Sequence, residues 1–322
     1  MEKAADPGTT QPTAKKKKQV VKKKNYLTLK DKVQLSVMTL PALLLYGVFL
    51  VIPILMAIYF AFHTWNGITG SPLVFVGFQN FVNAFNNPLF QTAMRNMVEM
   101  VVFSVMFHTP VALILAVALN ARVKGKRFFK FVYFVPTVFP LTAIGLLWFF
   151  IFMPNGSINT LLTSIGLGSL AQGWLIQPAT AMPTIIFVNI WAGIGYYMII
   201  LLAGLKGIPS DVYEAALIDG ANARQTFFRI TLPILRPIIL LCIVLDIIGT
   251  VKVFDLIFVM TGGGPNGLTN VPTTLIYYEA FRYDNYGMAS AIGVILLIIT
   301  VTATLLTQFV PKWIARRSAG KA

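Results

Sequence analysis

Apolar residues in this chain gather into six long runs separated by polar stretches. They lie near Val33–Phe62, Arg95–Asn120, Phe128–Met153, Met182–Leu205, Leu235–Met260 and Tyr286–Val310. Each reaches the ~20 residues that an α-helix needs to cross the hydrocarbon core of a bilayer. The pattern predicts an all-α, polytopic membrane protein with six transmembrane helices. Pro41, Pro53, Pro110, Pro136 and Pro140 fall inside or beside these runs. Membrane helices accommodate proline when neighbouring groups satisfy the freed carbonyls, so the prolines do not overturn the assignment. Residues 1–32 then read as a polar tail expected to be disordered, 33–313 as the membrane domain and 314–322 as a second tail.

Composition agrees with the pattern. Of the chain, 57% is apolar, and the net charge is +15. Mean hydropathy is +0.74, far from a soluble globular chain. The charge is unevenly spread. Lys15 to Lys18 and Lys22 to Lys24 sit in the first tail, and no apolar core follows them as a cleavable signal peptide would require. A polybasic segment beside a membrane helix favours the cytoplasmic side and invites contact with anionic lipid. A nucleic-acid arm is the competing reading, but no folded reader follows, so no nucleic-acid partner is expected. On one side of the spans the connections carry Arg122, Lys124, Lys126, Arg127, Arg224, Arg229, Lys312, Arg316 and Arg317. Those on the other side, from His63 to Met94, Pro154 to Ala181 and Thr261 to Asp284, hold almost none apart from Arg282. The excess of Lys and Arg on the cytoplasmic side places both termini and the connection at Glu214 there. Trp65 and Trp313 stand where interfacial aromatics belong.

The most informative polar stretch runs from Glu214 to Pro233. Ser210 after Pro209 suits a helix N-cap, Asp211 suits the positive end of the helix dipole, and Gly220 suits a left-handed C-terminus. Ala215 and Ala216 keep that helix low, so another backbone could lie close. Glu214-Ala215-Ala216, three residues, Gly220, nine residues, Ile230, one residue and Leu232-Pro233 resembles the EAA signature of permease subunits of ABC importers. Asp219-Gly220-Ala221 fits the same pattern. The resemblance to carbohydrate-type permeases extends over Trp191-x-x-x-Gly195, Ala203-Gly204-Leu205-x-x-Ile208-Pro209, Phe254-Asp255-x-Ile257-x-x-x-Thr261-Gly262-Gly263-Gly264-Pro265 and Tyr286-Gly287-x-Ala289-x-Ala291. It implies a cytoplasmic coupling helix in which Glu214, Ala215, Ala216, Asp219, Gly220, Leu232 and Pro233 meet an ATPase. It also implies a second permease subunit, ATPase subunits and an extracytoplasmic solute-binding protein as partners, with a sugar or oligosaccharide as cargo.

Three charges in the fifth run, Asp246, Lys252 and Asp255, are costly at membrane depth and face a bundle interior or a water-lined path. They are the candidates for a substrate path. Lys252 and Asp255, three apart on one continuous helix, would form an ion pair that fixes register. His108, alone in an apolar run, reads as a helix-packing residue rather than a ligand, and Glu99 has no second carboxylate nearby. There is no H-E-x-x-H, no Walker A and no Cys/His spacing for a metal, and Cys242 stands alone. These absences predict no catalytic residues, no metal and no cofactor in this chain, with ATP hydrolysis on a separate subunit. The alternative is an ion-coupled secondary carrier using Asp246 or Asp255.

Overall fold

A computed structural model describes residues 28–121 and 124–319, with side-chain environments given up to Thr307. Lys15 to Lys18, Lys22 to Lys24 and Arg122 lie outside the described residues, as do the side chains of Lys312, Trp313, Arg316 and Arg317. The chain divides into two units, one up to Pro53 and one from Ile54 onward. In the first, α1 (Leu29–Tyr46) opens on a capping box. The Thr28 hydroxyl accepts from the Asp31 amide at 3.2 Å, and the Asp31 carboxylate takes the Thr28 amide at 3.0 Å. A wide π turn, Gly47–Val51, follows, and no residue of α1 or of this turn is buried.

The second unit holds the remaining helices. After α2 (Ile52–Ala61), a short antiparallel pair joins β1 (His63–Thr64) to β2 (Val74–Phe75), with His63 opposite Phe75. Then come α3 (Gln79–Asn86), α4 (Pro88–Asn120), α5 (Lys126–Val138), α6 (Leu141–Phe152), α7 (Ser157–Ser164) and α8 (Pro178–Lys206). They are followed by α9 (Ser210–Ile218), α10 (Ala223–Gln225), α11 (Leu232–Val251), α12 (Asp255–Met260), α13 (Pro272–Phe281) and α14 (Tyr286–Ala319). Six helical stretches among the described residues are long and apolar enough to cross a membrane.

Two expected spans are broken. The third divides at Phe139–Pro140. Proline has no N–H to continue α5, and it forces the residue before it, Phe139, to φ −80° and ψ 144°. The fifth ends at Val251. Val253 gives its carbonyl to the Thr273 hydroxyl at 2.6 Å instead of to a following turn, and α12 starts afresh with Asp255 in its first turn. The second span, in contrast, reaches seven residues further back than its hydropathy, to Pro88, because Asn87 caps it by accepting from the Leu89 amide at 2.9 Å.

α8 is the most buried span, and α4 lies along it. Ala112 and Ala116, one turn apart on α4 and fully buried, let it close on Leu201 and Leu205 of α8, with Leu235 of α11 in the same cluster. A second cluster joins α6 and α12 to the first half of α8 through Ile144, Ile185 and Leu256. The third joins α3, the start of α4, α13 and α14 through Ala84, Phe90, Leu275 and Ile292. Thirty-three residues make α4 about 50 Å long. Its two ends therefore mark two distant levels of the molecule.

Candidate functional site

Near the C-terminal end of α4, α9 forms from a sequence with no side-chain cap. Its N-cap is Pro209, and Ser210 is already the first helical residue, its hydroxyl turned to Asp211 at 3.3 Å. The expected Ser210 cap is thus one position off, while Asp211 does lie in the first turn. The other terminus is a complete Schellman motif. The Ala221 amide donates to the Ala216 carbonyl at 2.9 Å and the Gly220 amide to Leu217 at 3.1 Å, with Gly220 at φ +71°. Gly220 therefore has the conformation its place in the sequence predicts, for the expected reason.

The two faces of α9 differ. Ala216 is 4% exposed and lies on the inner side with half-buried Val212 and Tyr213. The expectation that Ala216 keeps an outward surface low is corrected by this burial; only Ala215 is exposed. The outward face carries Glu214, Leu217 and Ile218, spaced i, i+3 and i+4, with Leu217 77% and Ile218 86% exposed. Neither apolar residue emerges from the motif alone. Their signal is a pair of large aliphatic side chains on a short helix whose other face is needed for packing. Asp219 is exposed as well. Leu232 is half-buried and Pro233 exposed where a π turn, Thr226–Thr231, passes into α11. Leu232 there donates to Phe227 five residues back. The seven residues of the motif thus lie on and just after α9 and at the start of α11 without forming a single cluster.

Midway along α4 a cavity of about 240 Å³ opens between α4, α5, α8 and α11, lined by His108, Asn189, Tyr196, Tyr197, Asp246 and Thr250 among others. His108 and Asp246, 3% and 1% exposed, form the one ion pair found among the described residues, Nδ1 to Oδ1 at 2.8 Å. The same Oδ1 accepts from Thr250 at 3.2 Å and Tyr197 at 3.4 Å. His108 Nε2 lies 3.2 Å and 3.1 Å from the carbonyls of Asn189 and Ile190. Gly193 permits this approach, since a side chain there would press on the imidazole. His108 is thus a packing residue, as its surroundings predict, but one that ties three helices together through polar bonds. Asp246 faces the bundle interior as expected. Lys252 and Asp255 do not join it. Both are exposed, Lys252 lies in the break after Val251 while Asp255 opens α12, and no ion pair links them. The expected Lys252–Asp255 pair is therefore replaced by His108–Asp246, across 138 residues of sequence.

Towards the N-terminal end of α4, the glycine-rich stretch from Thr261 is a loop held by side-chain hydrogen bonds. The Thr269 hydroxyl donates to Gly264 at 2.6 Å, Tyr278 to Gly262 at 2.7 Å, and the Asn96 amide to Leu268 and Asn270 at 2.7 Å and 2.8 Å.

The arrangement has relatives. Residues 108–318 match the family described as binding-protein-dependent transport system inner membrane component. The chain belongs to this family. It is 36% identical over 266 residues to a probable ABC transporter permease protein, YurN, of Bacillus subtilis, covering 82% of this chain and 91% of that one. It is 34% identical over 257 residues to the multiple sugar-binding transport system permease protein MsmF of Streptococcus mutans, covering 80% and 88%. The diacetylchitobiose uptake system permease protein NgcF of Streptomyces coelicolor is 32% identical over 280 residues, covering 83% and 79%. Among solved structures, a bacterial ABC transporter involved in the import of the acidic polysaccharide alginate matches with a TM-score of 0.78 and 26% identity, covering 88% of this chain and 97% of that one. The six apolar stretches and the family together make this a multi-pass membrane transport protein. They leave the ion-coupled carrier alternative without support.

Proposed function

We propose that this chain is one permease subunit of an ABC importer for a sugar or oligosaccharide, with an ATPase docking on α9 from the cytoplasm. The observation that carries the docking is the pair Leu217 and Ile218, held in water on a helix whose opposite face is committed to packing. Burying two such side chains in a partner's groove contributes about 3–6 kcal/mol. Leu217 and Ile218 are neighbours along the helix and form the apolar part of this face, beside the exposed Glu214. No catalytic residue, metal or cofactor is assigned to this chain, and hydrolysis belongs to the ATPase subunits. A second permease completes the path, a binding protein delivers the cargo from outside, and both termini lie in the cytoplasm. The carbohydrate assignment draws on the relatives, whose names include multiple sugar-binding, diacetylchitobiose and arabinooligosaccharide transport systems. Asp246 is the substrate-path residue by its place in the cavity. Lys252 and Asp255 remain candidates only for a path shared with another subunit.

The test replaces Leu217 and Ile218 with Asp. Abundance in the membrane should hold, since neither residue is buried, while the ATPase recovered with the chain should fall at least tenfold. Undiminished recovery would remove the docking assignment. The orientation is tested by single cysteines in a Cys242→Ser background. One placed at Ala221 should react with an impermeant reagent only in opened membranes, and one at Gly168 in intact cells.

A further inference from the structure

The cavity beside His108 has an imbalance between donors and acceptors that says which saccharides it can take. Both ring nitrogens of His108 face groups that only accept: the Asp246 carboxylate at 2.8 Å on one side, and the Asn189 and Ile190 carbonyls at 3.2 Å and 3.1 Å on the other. Both nitrogens are therefore engaged, and neither is left free for a ligand. The other donors on the wall are largely committed too. Asn189 gives its amide to Ser104 at 3.0 Å, Thr137 its hydroxyl to Phe134 at 2.7 Å, and Thr250 and Tyr197 theirs to Asp246 Oδ1. No Lys or Arg lines the cavity. What is left over is an acceptor. Asp246 is 1% exposed, Oδ1 receives three donors, and Oδ2 has no hydrogen-bond partner among the described residues. A buried carboxylate oxygen without a donor is costly, and a ligand that supplies one relieves that cost.

We infer that Asp246 is a specificity-determining residue of the translocation cavity: Oδ2 accepts a hydroxyl of an uncharged saccharide, and the same oxygen, with no free cation beside it, disfavours saccharides that carry carboxylates. His108 is the positioning residue, holding the carboxylate by Oδ1 and leaving Oδ2 without a donor. The inference rests on the carbohydrate reading above and narrows it to uncharged sugars. It also separates this cavity from the acidic cargo of its structural relative, the alginate importer.

The experiment measures equilibrium binding of radiolabelled maltose, cellobiose, trehalose, glucuronate and galacturonate to the purified permease–ATPase complex without binding protein. Complexes are compared only after size-exclusion chromatography shows intact assembly. At least one neutral disaccharide should bind the wild-type complex, and neither uronate should. Asp246→Asn should weaken the neutral sugar about tenfold or more, the effect of losing a hydrogen bond to a charged acceptor, and should narrow the gap between neutral and acidic sugars. Asp246→Glu, which keeps the charge and moves it, serves if the first variant does not assemble, and should weaken the neutral sugar without admitting uronates. His108→Gln should weaken binding while preserving the neutral-over-acidic order, which a merely structural loss would not sort in this way. A complex that binds none of the five sugars overturns the carbohydrate reading. A uronate bound as well as a neutral sugar, or unchanged affinity on Asp246→Asn, overturns this inference alone.

Discussion

The outward face of α9 and the cavity at His108 invert each other's chemistry. α9 holds a leucine and an isoleucine in water, 77% and 86% exposed. The cavity holds a carboxylate and an imidazole where both are at most 3% exposed. Each arrangement is unfavourable for the chain alone, and in the proposed function each is relieved by a partner or ligand from outside it. The costs differ in kind. Exposed aliphatic side chains leave the fold intact while they wait, because the rest of α9 is anchored by Ala216, Val212 and Tyr213. A buried charge is tolerated only while its partner stands beside it. Substitutions at the cavity should therefore damage the chain itself, and those on the outer face of α9 should damage only its assembly.

The largest effect should come from His108→Ala. It strands the Asp246 carboxylate and unties α4 from α11, at a cost of about 3–5 kcal/mol. Thermal unfolding of the purified chain should register this as a large fall in midpoint, and a midpoint equal to that of Leu217→Asp would break the comparison. Next is Ala216→Trp. Although it belongs to the coupling motif, it lies on the buried side of α9, and overpacking there should cost about 1–3 kcal/mol and lower abundance in the membrane. Abundance at the wild-type level would show that this side is open after all. Gly220→Ala should be milder. No heavy atom lies where its Cβ would go, so only the backbone at φ +71° resists, by about 1–2 kcal/mol. Gly220→Asn should recover part of that loss in the same unfolding measurement. The smallest effect belongs to Lys252 and Asp255. With both exposed and no ion pair between them, Asp255→Asn and Lys252→Met should combine with a coupling below about 0.5 kcal/mol in a double-mutant cycle. A coupling of several kcal/mol would mean that the two charges meet in the assembled importer.

The sequence reveals the two regions unequally. α9 is local. Asp211 at one end and Gly220 at the other act through neighbours within a few residues, so their roles are visible in order along the chain. What local reading misses there is direction. Glu214, Ala215 and Ala216 are contiguous in the motif, but the helix turns Ala216 inward and brings Leu217 and Ile218 out. The cavity is non-local, because His108 and Asp246 are 138 residues apart and nothing in either apolar run points to the other. Hydropathy finds six spans for a robust reason, the length of the runs, but puts the third at Phe128–Met153 where the structure has Leu141–Ser164. The same averaging hides the breaks at Phe139–Pro140 and after Val251, since the residues on both sides are equally apolar. Pro140 and the Val253-Phe254 step are backbone events, marked by a missing N–H in one case and by a carbonyl that accepts from the Thr273 hydroxyl in the other.

The Asn96 side chain adds a question of time. Its amide bonds two carbonyls that lie 172 and 174 residues further along the chain. A ribosome adding about 5–20 residues per second reaches them roughly 10 to 35 s after Asn96 itself. During that interval α4 is inserted with a polar amide that has no final partner, and the loop that will receive it is not yet made. Asn96 therefore meets its partners only after α5 to α12 have been made.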